Sequence, residues 1–258
     1  MIYDTITYDL SDDIATITLN RSEVMNALNT QMRAEITDAF GRGGREARVV
    51  VMTGKGGAFC SGQDLGDRET VASLDLERIL RDEYVPMLKS IYDCPVPTIC
   101  AVNGAAAGAG ANLALSADVV IATQSAFFMQ AFTKIGLIPD AGGTWFLPRQ
   151  IGMAKAMGAA LFADRITAEQ ADAMGMIWEH VPDDQFEAHV ARRAAHLAKG
   201  PTAAYAKVKE AMFASLGNDL EAQLAVEARL QGECGKTRDF KEGVVAFMEK
   251  RAPVYEGR

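Results

Sequence analysis

Apolar and polar residues alternate at 5–10 and again at 14–19, and the Ser11-Asp12-Asp13 step between them predicts a β-hairpin. A polar, turn-rich stretch, LNRSEVMNALN (19–29), separates the hairpin from a helix expected over 30–40. Arg48 leads into VVVMTG, a continuous apolar run that reads as a buried strand ended by Gly54, and a glycine-rich loop comes next, KGGAFCSGQDLGD (55–67). Over 74–92, Leu76, Ile79, Leu80, Leu88 and Ile91 recur at helical spacing. PVPTICAV (95–102) reads as another buried strand, Asn103-Gly104 turns the chain, a helix of small side chains begins at about Gly108, and DVVIAT (118–123) is a further strand. After Phe132, the stretch TKIGLIPDAGGTWFLPRQIG (133–152) predicts a loop and a short helix stopped by Pro148. From about Pro201 the chain reads as helix throughout, with heptad-like apolar spacing at Leu220, Leu224 and Leu230. Repeated strand–loop–helix units predict an α/β layer arrangement over 1–200, and 201–258 is expected to be a helical appendage suited to oligomerisation.

The 258 residues allow one large domain, or one domain with an appendage, and a hydrophobic fraction of 49% is ample for its core. A formal net charge of −8 without a basic stripe argues against a nucleic-acid partner. Residues 104–122 are apolar, yet Asn112, Asp118 and the glycines argue against a membrane span. The N-terminus, MIYDTITYDL, has no basic-then-apolar signal pattern, and a cytoplasmic location is the expectation. Cys60, Cys94, Cys100 and Cys234 show no paired spacing, so neither a zinc site nor a disulfide scaffold is expected. The histidines, His180, His189 and His196, all lie late in the chain, and the last two fall in a charged, helical-looking segment where they should face solvent.

The candidate chemistry centres on NGAAAGAGANLALSAD (103–118). A helix that begins in glycine and alanine leaves its first N–H groups unshielded, and these, with the positive end of the helix dipole, favour a negative or developing negative oxygen. The same small residues would equally suit a helix packed tightly in a core. No nucleotide motif is present: Gly108-Ala109-Gly110 begins the dinucleotide fingerprint, but Leu113 stands where its third glycine should be, and TGKGGAF lacks the terminal Gly-Lys-Ser/Thr of a phosphate loop. Asp140, in IPDAGG, reads from spacing alone either as a helix N-cap or as a working acid.

AFCSGQDL (58–65), AVNGAAAGAGANLALSAD (101–118) and KIGLIPDAGGTWFLPR (134–149) together resemble the crotonase family of enoyl-CoA hydratases and isomerases. LNRSEVMNALN (19–29) and AFMEKRAPVY (246–255) extend the resemblance in family order over nearly the whole chain. The resemblance implies an α/β fold, a crotonase-like ββα spiral core with a C-terminal helical trimerisation region, assembled as a homotrimer or a dimer of trimers. It also implies an acyl-CoA thioester substrate, with no cofactor or metal beyond the CoA that the substrate carries. The oxyanion-hole donors map to the backbone N–H groups of Gln63 and Ala109, whose side chains are expected to matter mainly through bulk. Ser61 and Asp64 flank the first donor as candidate substrate contacts; Met25, Ala27 and Leu28 map to one side of a CoA cleft, and Phe247 and Lys250 to the other, in cis or from a neighbouring subunit.

Departures from the family pattern narrow the chemistry. Hydratases of the family use two glutamates, and those positions hold Asn112 and Phe132 here. Water addition needs a paired acid and base, which an amide and a phenyl ring do not supply. Asp140 falls where the isomerases and a dehalogenase branch place a carboxylate, but no histidine precedes His180 to serve the dehalogenase reaction. With Asn112 as a partner that hydrogen-bonds the acyl group or orients Asp140, Phe132 as core packing or a pocket wall, and Trp145 and Phe146 as acyl-pocket candidates that would equally suit core packing, one carboxylate remains as a proton shuttle. LIPDAGGTWFLPR and AMGMIW (173–178) are most similar to family isomerases that convert ring-epoxidised phenylacetyl-CoA to oxepin-CoA or shift β,γ double bonds. The expected function is therefore an acyl-CoA isomerase; the alternatives are a generic enoyl-CoA hydratase/isomerase of fatty-acid breakdown, or a catalytically silent acyl-CoA-binding scaffold.

Overall fold

The computed structural model describes residues 3–66 and 75–257. The hairpin forms as the alternation predicts: β1 (Ile6–Ser11) pairs antiparallel with β2 (Ile14–Leu19), and Asp12 and Asp13 take left-handed backbone at the turn. Helix α1 (Thr30–Glu46) comes next, with the Asn29 side chain capping Met32 N–H. It runs past the predicted end at residue 40, through Gly41, Gly43 and Gly44. These glycines look like terminators in the sequence, but two of them serve packing: a Cβ on Gly43 would lie 2.9 Å from a Val50 methyl, and one on Gly44 would lie 2.8 Å from the Pro95 ring.

The middle of the chain winds through ββα units. The first is β3 (Val49–Gly54), β4 (Ala58–Cys60) and a helical run made of α2 (Leu76–Ile79), a π turn (Leu80–Tyr84) and α3 (Val85–Tyr92). Residues 67 and 74, at the ends of the predicted loop and helix, lie outside the described residues. The second unit is β5 (Thr98–Val102), β6 (Ala105–Ala107) and α4 (Ala109–Leu115); the third is β7 (Val119–Thr123), β8 (Phe127–Met129), a 3-10 turn (Ala131–Ile135) and α5 (Gly143–Phe162). The short strand β9 (Ile166–Thr167), α6 (Ala168–Ala173), β10 (Glu179–Val181) and α7 (Phe186–Ala198) complete the core. Each turn adds one strand to a six-stranded sheet, ordered β1-β2-β3-β5-β7-β10, and one to a four-stranded sheet, ordered β4-β6-β8-β9.

The continuous apolar run of β3 is explained by burial on both faces. Val50 and Met52 enter the main core with α1 and α4, while Val49 and Val51 meet Phe186, Val190 and Ala194 of α7. Pro148 does not stop α5; it lies inside the helix, and the break comes at Gly152 (φ 74, ψ 159). The Arg149 guanidinium donates to Trp145 C=O in the same stretch. Beyond residue 201 the chain forms three helices, α8 (Thr202–Ser215), α9 (Leu220–Cys234) and α10 (Arg238–Glu249), instead of one continuous helix. Leu230 is buried, whereas Leu220 and Leu224 are exposed. Lys209 ties α8 to the core through a 2.7 Å ion pair with Asp118 and a hydrogen bond to Cys94 C=O. His196 faces solvent as expected, but His189 is half-buried, 2.8 Å from Glu179, because α7 packs back on the sheet edge. Among the described residues no helix is long and apolar enough to cross a membrane.

Candidate active site

The site begins where two loops run side by side. Asn26 takes left-handed backbone, and its buried side chain donates to Lys55 and Ala58 C=O, fastening the 21–28 loop to the glycine-rich loop. Ser61 N–H donates to Met25 C=O at 3.0 Å, Leu28 N–H to Gly62 C=O at 2.8 Å, and Asp64 N–H to Leu28 C=O at 3.0 Å. In a trans peptide the C=O and N–H point to opposite sides. With Gly62 C=O turned to Leu28, Gln63 N–H faces away from it, toward the start of α4. The approach is so close that a Cβ on Gly62 (φ 100) would lie 2.8 Å from Ala107 O and 3.3 Å from Ala109 N. Ala109 opens α4 after Gly108, which supplies no side-chain cap. Among the described residues neither Gln63 N–H nor Ala109 N–H donates a hydrogen bond, so two backbone donors sit together unused.

Asp140 is brought to this pair through Asn112, which lies one helical turn after Ala109 on the same face of α4. Asn112 is fully buried; its Nδ2 donates to Asp140 C=O at 2.7 Å and its Oδ1 accepts from Gln130 Nε2 at 2.9 Å. Gly143 presses on the same amide, where a Cβ would lie 2.4 Å from Nδ2. The Asn112 amide is thus engaged by protein at both ends, so it positions Asp140 and is not itself a group offered to the acyl chain. After Asp140, Ala141 (φ 48) and Gly142 (φ 82) turn the chain through left-handed backbone into α5. That helix has Gly142 at its N-cap and no side-chain cap, so Asp140 does not cap it. Asp140 Oδ1 is buried and has no hydrogen-bond partner among the described residues, and burial pushes the carboxyl up from 3.8 to about 6. Phe132 is buried, with its ring edge 3.9 Å from where a Cβ on Gly108 would stand, and so forms an apolar wall at the mouth of α4.

Three residues of the site carry no sequence signal. Tyr84 Oη donates to Gln63 Oε1 at 2.8 Å, and Arg33 Nη1 donates to the same oxygen at 2.9 Å and to Leu28 C=O at 2.8 Å. Arg33 is buried and pairs with Glu83 at 2.6 Å. Gln63 Nε2 donates to Asp64 C=O at 3.0 Å. The Gln63 side chain is therefore anchored through both its oxygen and its nitrogen, which corrects the expectation that it matters mainly through bulk. Tyr84 is buried too, and burial raises its phenol against the opposing effect of the Arg33 charge. Gln130, the third, holds Asn112 while its own Oε1 is buried without a partner among the described residues.

Of the other expected residues, Met25 and Ala27 stand on the 24–28 loop beside Ser61, and Met25 is exposed. Leu28 is fully buried and joins the core, so it supports the cleft by its backbone. Asp64 pairs with Arg21 at 2.8 Å and accepts from Gly66 N–H, and these contacts hold its carboxyl below the usual range against the opposing effect of burial. Trp145 is not brought to the donors: it stands edge-on to Tyr92 and Phe146, under Arg149, on a separate cavity of about 470 Å³ that also meets Lys209 and Phe213. Phe247 lines a cavity formed wholly by residues 201–255, and Lys250 stands just past the end of α10 in left-handed backbone. Neither reaches the donor pair within this chain. Among the described residues no group of three His, Cys, Asp or Glu side chains is placed to hold a metal ion.

Comparison with known proteins shows the family and the fold. The enoyl-CoA hydratase/isomerase family model matches residues 9–258. A Rhodobacter capsulatus protein described as "Probable enoyl-CoA hydratase" is 65% identical over 258 residues, covering 100% of both chains. The "1,2-epoxyphenylacetyl-CoA isomerase" of Escherichia coli K12 is 44% identical over 250 residues, covering 95% of each. A crystal structure of an enoyl-CoA hydratase from Bacillus anthracis superposes with a TM-score of 0.91 at 32% identity, covering 99% of this chain and 100% of that one. With these sequence motifs, this winding of ββα units and this donor pair, the chain belongs to the enoyl-CoA hydratase/isomerase family, with the crotonase fold.

Proposed function

We propose that the protein is an acyl-CoA isomerase in which Asp140 is the single proton carrier. The observation that carries the reading is a buried carboxylate oxygen without a partner among the described residues, beside two backbone N–H groups that are unused among them. A thioester C=O bound to Gln63 and Ala109 N–H is polarised where charge develops, an effect worth about 3 to 4 kcal/mol per donor. Asp140 removes the proton α to the thioester of a β,γ-unsaturated chain; the C–H electron pair forms the enolate, whose oxygen the two donors hold. The protonated Asp140 then returns the proton to the γ carbon, the double bond moves into conjugation, and the carboxylate is regenerated. The likeness to the E. coli isomerase supports ring-epoxidised phenylacetyl-CoA, rearranged to oxepin-CoA, as the substrate to try first.

The likeness to the R. capsulatus protein favours a second reading, hydration. Against it, the two positions of a hydratase acid–base pair hold an amide engaged at both ends and a phenyl ring. A panel of acyl-CoA thioesters assayed in parallel for isomerisation and hydration separates the two: isomerisation without hydration supports the proposal, and efficient hydration of crotonyl-CoA overturns it. Exposed apolar residues on the C-terminal helices, among them Leu220, Leu224, Val244 and Phe247, support assembly as a trimer or a dimer of trimers. In such an assembly Phe247 and Lys250 close the CoA cleft of a neighbouring cytoplasmic subunit. Light scattering that shows a monomer at micromolar concentration refutes this part.

A further inference from the structure

The two backbone donors are held by different means. Ala109 N–H belongs to a helix whose path is fixed by close packing, since a Cβ on Gly110 would lie 2.2 Å from Cys60 O. Gln63 N–H belongs to a loop and comes directly after Gly62, which has no Cβ and sits at φ 100, so its direction depends on the hydrogen bonds that hold the loop. Leu28 holds one edge of that peptide through Gly62 C=O. Leu28 C=O accepts from Asp64 N–H on the far side of Gln63, and a further restraint comes from the Gln63 side chain, whose Oε1 accepts from both Tyr84 Oη and Arg33 Nη1.

Tyr84 is delivered by an irregularity. The helical run between β4 and β5 widens into a π turn over Leu80–Tyr84, and Tyr84 is the last residue of that turn. A π turn inserts an extra residue into the helix and re-aims the side chains within and after it, a distortion frequent at functional sites. Here it sets the phenol on Gln63 and Glu83 on Arg33, which lies 4.8 Å from the centre of the Tyr84 ring. Loop, helix α1 and π turn are thereby tied to one amide.

We infer that Tyr84 is a positioning residue for the oxyanion hole: its hydroxyl, acting through the Gln63 side chain, sets the direction of Gln63 N–H. This rests on the isomerase reading of that hole. Tyr84→Phe keeps the ring and the Arg33 hydrogen bond and removes one donor. Turnover should fall about 10- to 100-fold, a part of the loss caused by removal of an oxyanion donor, while KM stays within about twofold. Infrared difference spectra of bound hexanoyl-CoA, labelled with 13C at the thioester carbonyl, give a readout that needs no turnover. In the wild type the carbonyl stretch should move to lower frequency on binding, and Tyr84→Phe should lose much of that movement. Gln63→Met keeps the backbone donor and removes the anchor, so it should show the same two losses, and the Tyr84→Phe/Gln63→Met pair should be no worse than either alone. An unchanged carbonyl frequency in Tyr84→Phe, or losses that multiply in the double variant, overturns the inference. Normal turnover by Asp140→Asn would refute the proton-carrier reading instead, and the carbonyl measurement would stand apart from it.

Discussion

Replacing Asp140 with Asn separates catalysis from structure because the native carboxylate is placed at a cost. Its Oδ1 is buried without a partner among the described residues, and its carboxyl is raised from 3.8 to about 6 by burial alone. That displacement corresponds to about 3 kcal/mol against the charged form, reduced to about 2 kcal/mol by residual solvent contact. The folded state binds the proton more tightly than the unfolded chain, so stability is fully present below pH 3.8, falls between there and about 6, and stays low above it. Asn carries no charge, so at pH 8 the variant should be more stable than the wild type by about 2 kcal/mol, a rise in Tm of about 4 to 8 °C, and the difference should vanish near pH 4. Turnover should fall about 100- to 10,000-fold, the usual worth of a general base. The wild-type rate should rise with pH through about 6, as the carboxylate forms, and the variant should lose that limb. Melting curves at several pH values, with turnover and acyl-CoA affinity on the same preparations, decide the matter. A variant that turns over normally and melts lower than the wild type at pH 8 would refute the reasoning and make Asp140 a structural group.

Gly62→Ala should cut turnover at least as far as Tyr84→Phe, because its Cβ would fall 2.8 Å from Ala107 O at φ 100 and turn the Gln63 peptide; steady-state kinetics with circular dichroism checks that the fold persists. Lys209→Met should destabilise the protein by about 3 kcal/mol, since it leaves the half-buried Asp118 carboxylate without its cation, and adding Asp118→Asn should recover most of the loss in denaturant titration. Asn112→Glu with Phe132→Glu should abolish isomerisation and yield only trace hydration of crotonyl-CoA, because new carboxylates near Asp140 disturb one another's ionisation; efficient hydration would show that Asp140 is uncoupled from the site.

The alternating hairpin, the apolar run of β3 and the small-residue start of α4 were legible because each is a local pattern with a local cause. The resemblance put Asn112 and Phe132 at the positions of a water-activating pair, and residue identity alone says that neither side chain can carry a proton. Folding decided everything that depends on which partner a group meets. Asp140 could cap a helix or stand bare; only the left-handed turn at Ala141 and Gly142 and the Asn112 amide on its carbonyl leave the carboxylate uncapped. Gly43 and Pro148 look like helix breakers, yet close packing needs one and the helix accommodates the other. Trp145, close in sequence to Asp140, turns to another cavity, while Tyr84 and Arg33, which belong to separate helical segments and to no motif, meet on Gln63. Periodicity records which side of an element is buried; it holds no record of the distance between elements, and hydrogen bonds and burial energies are set by that distance.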